Sequence, residues 1–190
     1  MKIKVQGEDA YCYTNNREID PARESVVFIH GAGMDHTVWT MYARHFARHG
    51  RNVVAVDLPG HGRSEGDPRA SVEAMADWIV DLLDALGLES AALAGHSLGS
   101  LVALDCASRH PARTRALAMV GTSAPMPVSE AILDAAKADD HAAFDRGGAA
   151  RQPRAGAARD HRHARVVQQA HHGSGFGGVA RKHHQLGGVA

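Results

Sequence analysis

Gly95-His96-Ser97-Leu98-Gly99 sets a serine between two glycines, each two residues away. A short apolar run, Ala91 to Ala94, precedes it, and a helix-like run follows. That context predicts a nucleophile elbow, in which a strand ends, the chain turns sharply on the serine and a helix begins. The flanking glycines remove Cβ atoms that would clash in so tight a turn. The chemistry at stake is nucleophilic attack on a carbonyl. A serine hydroxyl is a weak nucleophile at neutral pH, so it needs a base to take its proton and donors to hold the oxyanion that forms.

The elements that must position this serine follow from hydrophobic patterning. Ser25 to Ile29 and Asn52 to Val56 are continuous apolar runs of strand length, as expected of strands buried on both faces. Ala91 to Gly95 and Ala116 to Val120 complete a set of four. Ile3 to Val5 and Tyr11 to Thr14 predict an N-terminal hairpin joined through Gly7-Glu8-Asp9. Helices are predicted over Thr37 to His49, Ser71 to Leu86, Leu98 to His110 and Val128 to Ala138. The second is the clearest, with Val72, Met75, Ala76, Ile79, Leu82, Leu83 and Leu86 at spacings of three and four. Its predicted N-cap is Ser71, with Glu73 in the first turn and Gly87 at the stop.

Buried strands alternating with amphipathic helices describe an α/β fold: a mostly parallel sheet with helices on both faces. Ligands of such sheets sit beyond the carboxyl ends of the strands. Three motifs lie at such ends: His30-Gly31-Ala32-Gly33, Asp57-Leu58-Pro59-Gly60-His61-Gly62-Arg63-Ser64 and the serine pentapeptide.

In order and separation these three stretches resemble the α/β-hydrolase superfamily, in the branch of serine esterases, haloperoxidase-like enzymes and carbon–carbon bond hydrolases. The resemblance covers about residues 1 to 145. It implies hydrolysis of an ester or similar small acyl substrate through an acyl-enzyme. Ser97 matches the nucleophile. Leu98 would supply one backbone N–H of the oxyanion hole at the start of the following helix, and Ala32 the second. Each such donor is typically worth about 3 kcal/mol of barrier. No cofactor or metal is implied. His30, His61 and His96 read as structural or site-lining residues, because in the family the histidine base comes later in the chain. Asp57 and the glycines after it shape a loop under the site, and Met126 reads as packing.

The family supplies its acid after the seventh strand and its histidine after the eighth. Neither region is recognisable here, so the triad acid and base are unassigned, and the sheet is expected to lack its last strands. Residues 1–125 read as the N-terminal part of the core, 126–145 as the start of a lid, and 146–190 as an atypical tail. That tail carries 8 Lys and Arg against a single acid, Asp160, whereas residues 1–145 carry 13 and 20. It holds 9 Gly, 9 Ala and 6 His (His161, His163, His171, His172, His183, His184). Such a composition offers too little apolar surface to offset ordering entropy, and the expectation is disorder. Metal binding by these histidines, or replacement of the missing base by one of them, lacks an acid partner in a matching context. The abrupt switch is what a shifted reading frame in a GC-rich gene produces, and a frameshift origin is the expectation that resequencing tests.

Formal net charge is zero with neutral histidines, which gives no reason to propose nucleic acid or an anionic membrane as partner. The N-terminus reads as a strand, not a signal peptide, and no run approaches a membrane span. Two distant cysteines, Cys12 and Cys106, make no disulfide framework and suit a cytoplasmic protein. With the last strands missing, residues 116–120 become an apolar edge through which self-association is expected. Two other functional readings stand beside the hydrolase: a catalytically inactive fragment or binding module that keeps the elbow, and acyl transfer or thioester cleavage on the same scaffold.

Overall fold

The computed structural model describes residues 1–123. The helix expected over 128–138, the lid segment, Met126 and the whole of the 146–190 tail lie outside the described residues. Six strands form one sheet: β1 (Lys2–Val5), β2 (Glu8–Tyr13), β3 (Ser25–Ile29), β4 (Asn52–Val56), β5 (Ala91–His96) and β6 (Thr114–Val120). Three helices connect them: α1 (Thr40–Arg48), α2 (Val72–Ala85) and α3 (Leu98–Arg109).

The sheet order is β1-β2-β4-β3-β5-β6. β4, β3, β5 and β6 are parallel, as their continuous apolar runs imply, and β1 and β2 join antiparallel at one side. The chain steps from β3 to β4 in one direction and then back across to β5 and β6 in the other. Right-handed crossovers turn that reversal into opposite faces for the helices. Two apolar clusters show the result. Val26, Phe28, Val53, Ala55 and Ala94 face Trp39, Ala43 and Ala47 around α1. Val27, Ile29, Val54, Val56 and Leu93 face the apolar stripes of α2 and α3.

α2 forms as its spacing predicts: Met75, Ile79, Leu82 and Leu83 are all at most 1% exposed. Truncating any of the last three to alanine costs roughly 2–5 kcal/mol by lost burial and cavity formation. Ser71 caps the helix by accepting the Ala74 N–H at 3.1 Å. α2 and α3 are clamped by Arg109, which bonds Asp105 on its own helix and Asp77 on α2, each at 2.6 Å.

Two expectations are corrected. The N-terminal hairpin turns on Gln6-Gly7, one residue earlier than predicted, with Val5 paired to Glu8. Both loop residues have positive φ, 52° and 87°, which a two-residue turn of the hand that matches strand twist requires. The run 116–120 does form a strand, but β6 is the outermost one among the described residues, the edge expected with the last strands missing and not a strand buried on both faces. Leu117, Met119 and Val120 are 37%, 39% and 47% exposed, because no described strand pairs with its outer edge. No helix among the described residues is long and apolar enough to cross a membrane.

Candidate active site

The reversal of strand order falls between β3 and β5. The loop leaving β3 runs toward α1 on one face, and the loop leaving β5 runs into α3 on the other. That switch in strand order is the position at which open α/β sheets bind ligands. The two motifs that meet there are the 30–33 loop and the 95–99 turn.

Ser97 sits between β5 and α3 at φ 52°, ψ −119°. A non-glycine residue in that region is strained by about 1–3 kcal/mol, and packing must hold it there. The restraints are visible. A Cβ on Gly95 would collide with the Gly99 carbonyl, and one on Gly99 would collide with the carbonyls of Ile29 and His30. The start of α3 is therefore pressed against the end of β3. The Ser97 N–H donates to the Val120 carbonyl at 2.9 Å, and the Ser97 carbonyl accepts the Ser100 N–H at 2.9 Å. The Ser97 side chain makes no capping bond to α3. Leu98 is the first residue of that helix, where an amide has no acceptor within the helix and the dipole favours negative charge.

The 30–33 loop packs directly on this turn. A Cβ on Gly31 would stand 3.2 Å from Ser97 Cβ and 3.1 Å from His96 Nδ1. A side chain at 31 would require the serine or the His96 ring to give by a few tenths of an ångström. Ala32 follows, half-buried against the larger apolar cluster, and Gly33 takes φ 68°. The structure thus brings Gly31 against Ser97, with Ala32 next in the chain after the one and Leu98 after the other.

The histidines named from sequence are set into the scaffold. His30 is fully buried, and its Nε2 accepts the Leu58 N–H at 3.0 Å. Nδ1 must then carry the proton, and it donates to the Gly31 carbonyl at 2.8 Å. This ring is neutral and ties the 30–33 loop to the loop after β4. His61 Nδ1 lies 3.0 Å from the Pro59 carbonyl, and its ring centroid is 4.9 Å from that of His30. His96 lines the turn itself, between Gly31 and Gly121.

Asp57 is fully buried at the centre of the 57–64 loop. Its Oδ1 accepts the His36 backbone N–H at 2.6 Å and lies 2.8 Å from His36 Nδ1, while Oδ2 accepts the Arg63 N–H at 2.9 Å. Gly62, at φ 52°, leaves the room that this carboxylate fills. Asp57 shapes the loop, as the sequence suggests. Its pairing with His36 was not legible there, since the two are 21 residues apart and meet only through the β3–β4 crossover. Asp35, His36 and Asp57 place ligand-type atoms within 4.8 Å of one another. Their atoms are already engaged: Asp57 holds His36 and Arg63, and Asp35 accepts the Thr37 N–H at 2.8 Å. A metal at this corner would have to displace those bonds.

Comparison with known proteins agrees with this architecture. Residues 24–172 match the family model described as alpha/beta hydrolase fold. A pimeloyl-[acyl-carrier protein] methyl ester esterase of Chromobacterium violaceum is 42% identical over 98 residues, 52% of this chain and 37% of that protein. A 2-hydroxymuconate semialdehyde hydrolase of Pseudomonas sp. (strain CF600) is 35% identical over 113 residues, 56% of this chain and 40% of that one. A dihydrolipoyllysine-residue acetyltransferase component of the acetoin cleaving system, from Cupriavidus necator, is 39% identical over 100 residues, 51% of this chain and 26% of that one. Among solved structures, the enol-lactonase from Burkholderia xenovorans LB400 superposes with a TM-score of 0.67 at 22% identity, covering 77% of this chain and 57% of that one. That likeness is one of fold. The chain spans well under half the length of the curated relatives it matches.

Proposed function

The chain belongs to the α/β-hydrolase fold family, and on that premise we propose that it is a serine hydrolase acting on esters or related small acyl substrates. Ser97 is the nucleophile in this reading. Its hydroxyl attacks the substrate carbonyl, and its proton passes by way of the base to the oxygen of the departing alcohol. The amides of Leu98 and Ala32 hold the oxyanion, the alcohol leaves, and water then cleaves the acyl-enzyme. The observation that carries the reading is the strained backbone of Ser97 with Gly31 packed against it. Strain of that size at a strand–helix junction supports a functional reading, and the loop that touches the serine is where the reading expects the second donor.

The described residues also bear on the base. His30 has one ring nitrogen on Leu58 and the other on Gly31, so taking a serine proton would cost it the Leu58 bond. His36 is held by Asp57. The family order Ser, acid, His puts the base after Ser97 in the chain, and in this reading neither it nor the acid is assigned. The test is labelling by a fluorophosphonate probe together with turnover of a p-nitrophenyl ester, each with Ser97→Ala as control. Labelling that persists in Ser97→Ala, or no labelling of the wild-type chain, overturns the assignment.

Acyl transfer is a second reading, favoured by the 39% identity to an acetyltransferase component. Supplying an acceptor alcohol or thiol decides between them: a transferase forms the new ester or thioester faster than the free acid.

A further inference from the structure

His96 stands between three parts of the site. It is the last residue of β5 and lies opposite Val120 of β6 in the sheet register. A Cβ on Gly31 would stand 3.1 Å from its Nδ1, and one on Gly121 would stand 3.4 Å from its Nε2 and 3.5 Å from its Cδ2. The imidazole thus lies between the 30–33 loop on one side and the turn after β6 on the other. The Gly31 side is the tight one, where a Cβ would crowd the ring, and on the Gly121 side a Cβ would stand at ordinary van der Waals distance. The next residue, Ser97, is bonded through its N–H to the carbonyl of Val120, just before Gly121. Loop, elbow and strand end therefore share one spacer.

The polarity of the buried side of that spacer is not used. Nδ1 is buried and has no hydrogen-bond partner among the described residues. A buried nitrogen without a partner weakens a fold, and an apolar atom of the same shape would not. What the position gains from histidine is therefore a flat ring of suitable thickness.

We infer that His96 is a positioning residue whose ring, by shape and not by hydrogen bonding, fixes the distance of the Gly31–Gly33 loop and the end of β6 from Ser97. The inference rests on the proposed role of Ser97 for its catalytic meaning, and on packing alone for its structural meaning. A misplacement of about 1 Å in such a site costs on the order of 100-fold in rate.

The experiment compares the full chain with His96→Ala, His96→Phe and His96→Asn. It reads the fluorophosphonate labelling rate, the thermal midpoint and amide hydrogen exchange of the segments 30–34 and 120–123, with α2 as internal reference. His96→Ala is expected to slow labelling by roughly 10- to 100-fold and to speed exchange in both segments while α2 stays protected. His96→Phe restores most of the labelling and the protection, with a midpoint no lower than wild type. His96→Asn keeps a polar atom near the Nδ1 position without the ring, and it stays slow. The inference is overturned if His96→Asn restores the rate and His96→Phe does not, since the nitrogen would then be the working part. It is also overturned if His96→Ala leaves exchange in both segments unchanged. If the wild-type chain is not labelled at all, the serine-hydrolase reading fails, and the exchange data still decide the spacer.

Discussion

A Cβ on Gly99 would stand 2.5 Å from the carbonyl oxygen of His30, so the helix after the elbow and the loop before it touch backbone to backbone. Neither side of that contact can give way like a flexible side chain. Gly99→Ala is expected to lower stability by roughly 1–3 kcal/mol, the usual cost of overpacking, and to abolish labelling at Ser97 by pushing α3 off β3. Urea denaturation checks the first part. An unchanged midpoint would mean that α3 can retreat without cost and that the glycine is not required by packing.

Ser97 is held at a backbone conformation that suits glycine. Ser97→Gly should therefore be more stable than Ser97→Ala by about 1 kcal/mol, the released strain less the extra entropy of an unfolded glycine. Ser97→Ala keeps the Cβ and the strain and loses the hydroxyl alike, so it is the proper reference. Both variants lose labelling. Thermal melts of the three proteins separate the two effects, and a Ser97→Gly that melts below Ser97→Ala would contradict a strained serine.

The parts legible in the sequence are those written in local pattern. SVVFI and NVVAV are apolar at every position after the first, and both strands are buried throughout. Gly95 and Gly99 mark a turn whose tightness their missing Cβ atoms explain. The parts not legible depend on partners far away in the chain. The tautomer of His30 is set by Leu58, 28 residues on, and the environment of His36 by Asp57. The place of β6 at the edge was legible only through the family resemblance, since the run Ala116 to Val120 reads by itself as an interior strand. Gln6 offered no turn signal, because its positive φ is imposed by the Val5–Glu8 pairing and by Gly7 beside it.

Asp35 ties the 30–33 loop to the short 3₁₀ helix His36–Trp39 that leads into α1. Burial alone would raise its pKa, but hydrogen bonds from the Thr37 hydroxyl and amide outweigh that and hold it below the ordinary 3.8. A carboxyl depressed on folding contributes stability above its unfolded value and loses it as pH falls through the lower folded value. Stability should therefore decline below about pH 4, with Asp35 supplying part of the slope. Asp35→Asn keeps a good N-cap and removes the titration, so it should match wild type at neutral pH and show a shallower decline in acid. Denaturant melts across that range give the slopes, and identical slopes would remove Asp35 from the acid response.

Cys12 and Cys106 are both buried, and burial pushes each thiol up to about 12. Cys106 also donates weakly to the Ala76 carbonyl at 3.4 Å, inside the α2–α3 packing. The thiolate is the reactive form, so at neutral pH the folded chain presents almost none. An aromatic disulfide reagent should modify neither cysteine in the native protein and both in denaturant, with native reaction limited by unfolding. Prompt reaction at Cys12 would mean that the junction of β2 and β4 opens, and prompt reaction at Cys106 that α2 and α3 part. The outcome matters for the nucleophile as well. If both thiols are silent, an electrophilic probe captured by the native chain has no cysteine to attack among the described residues, and its loss in Ser97→Ala can be read as chemistry at the elbow.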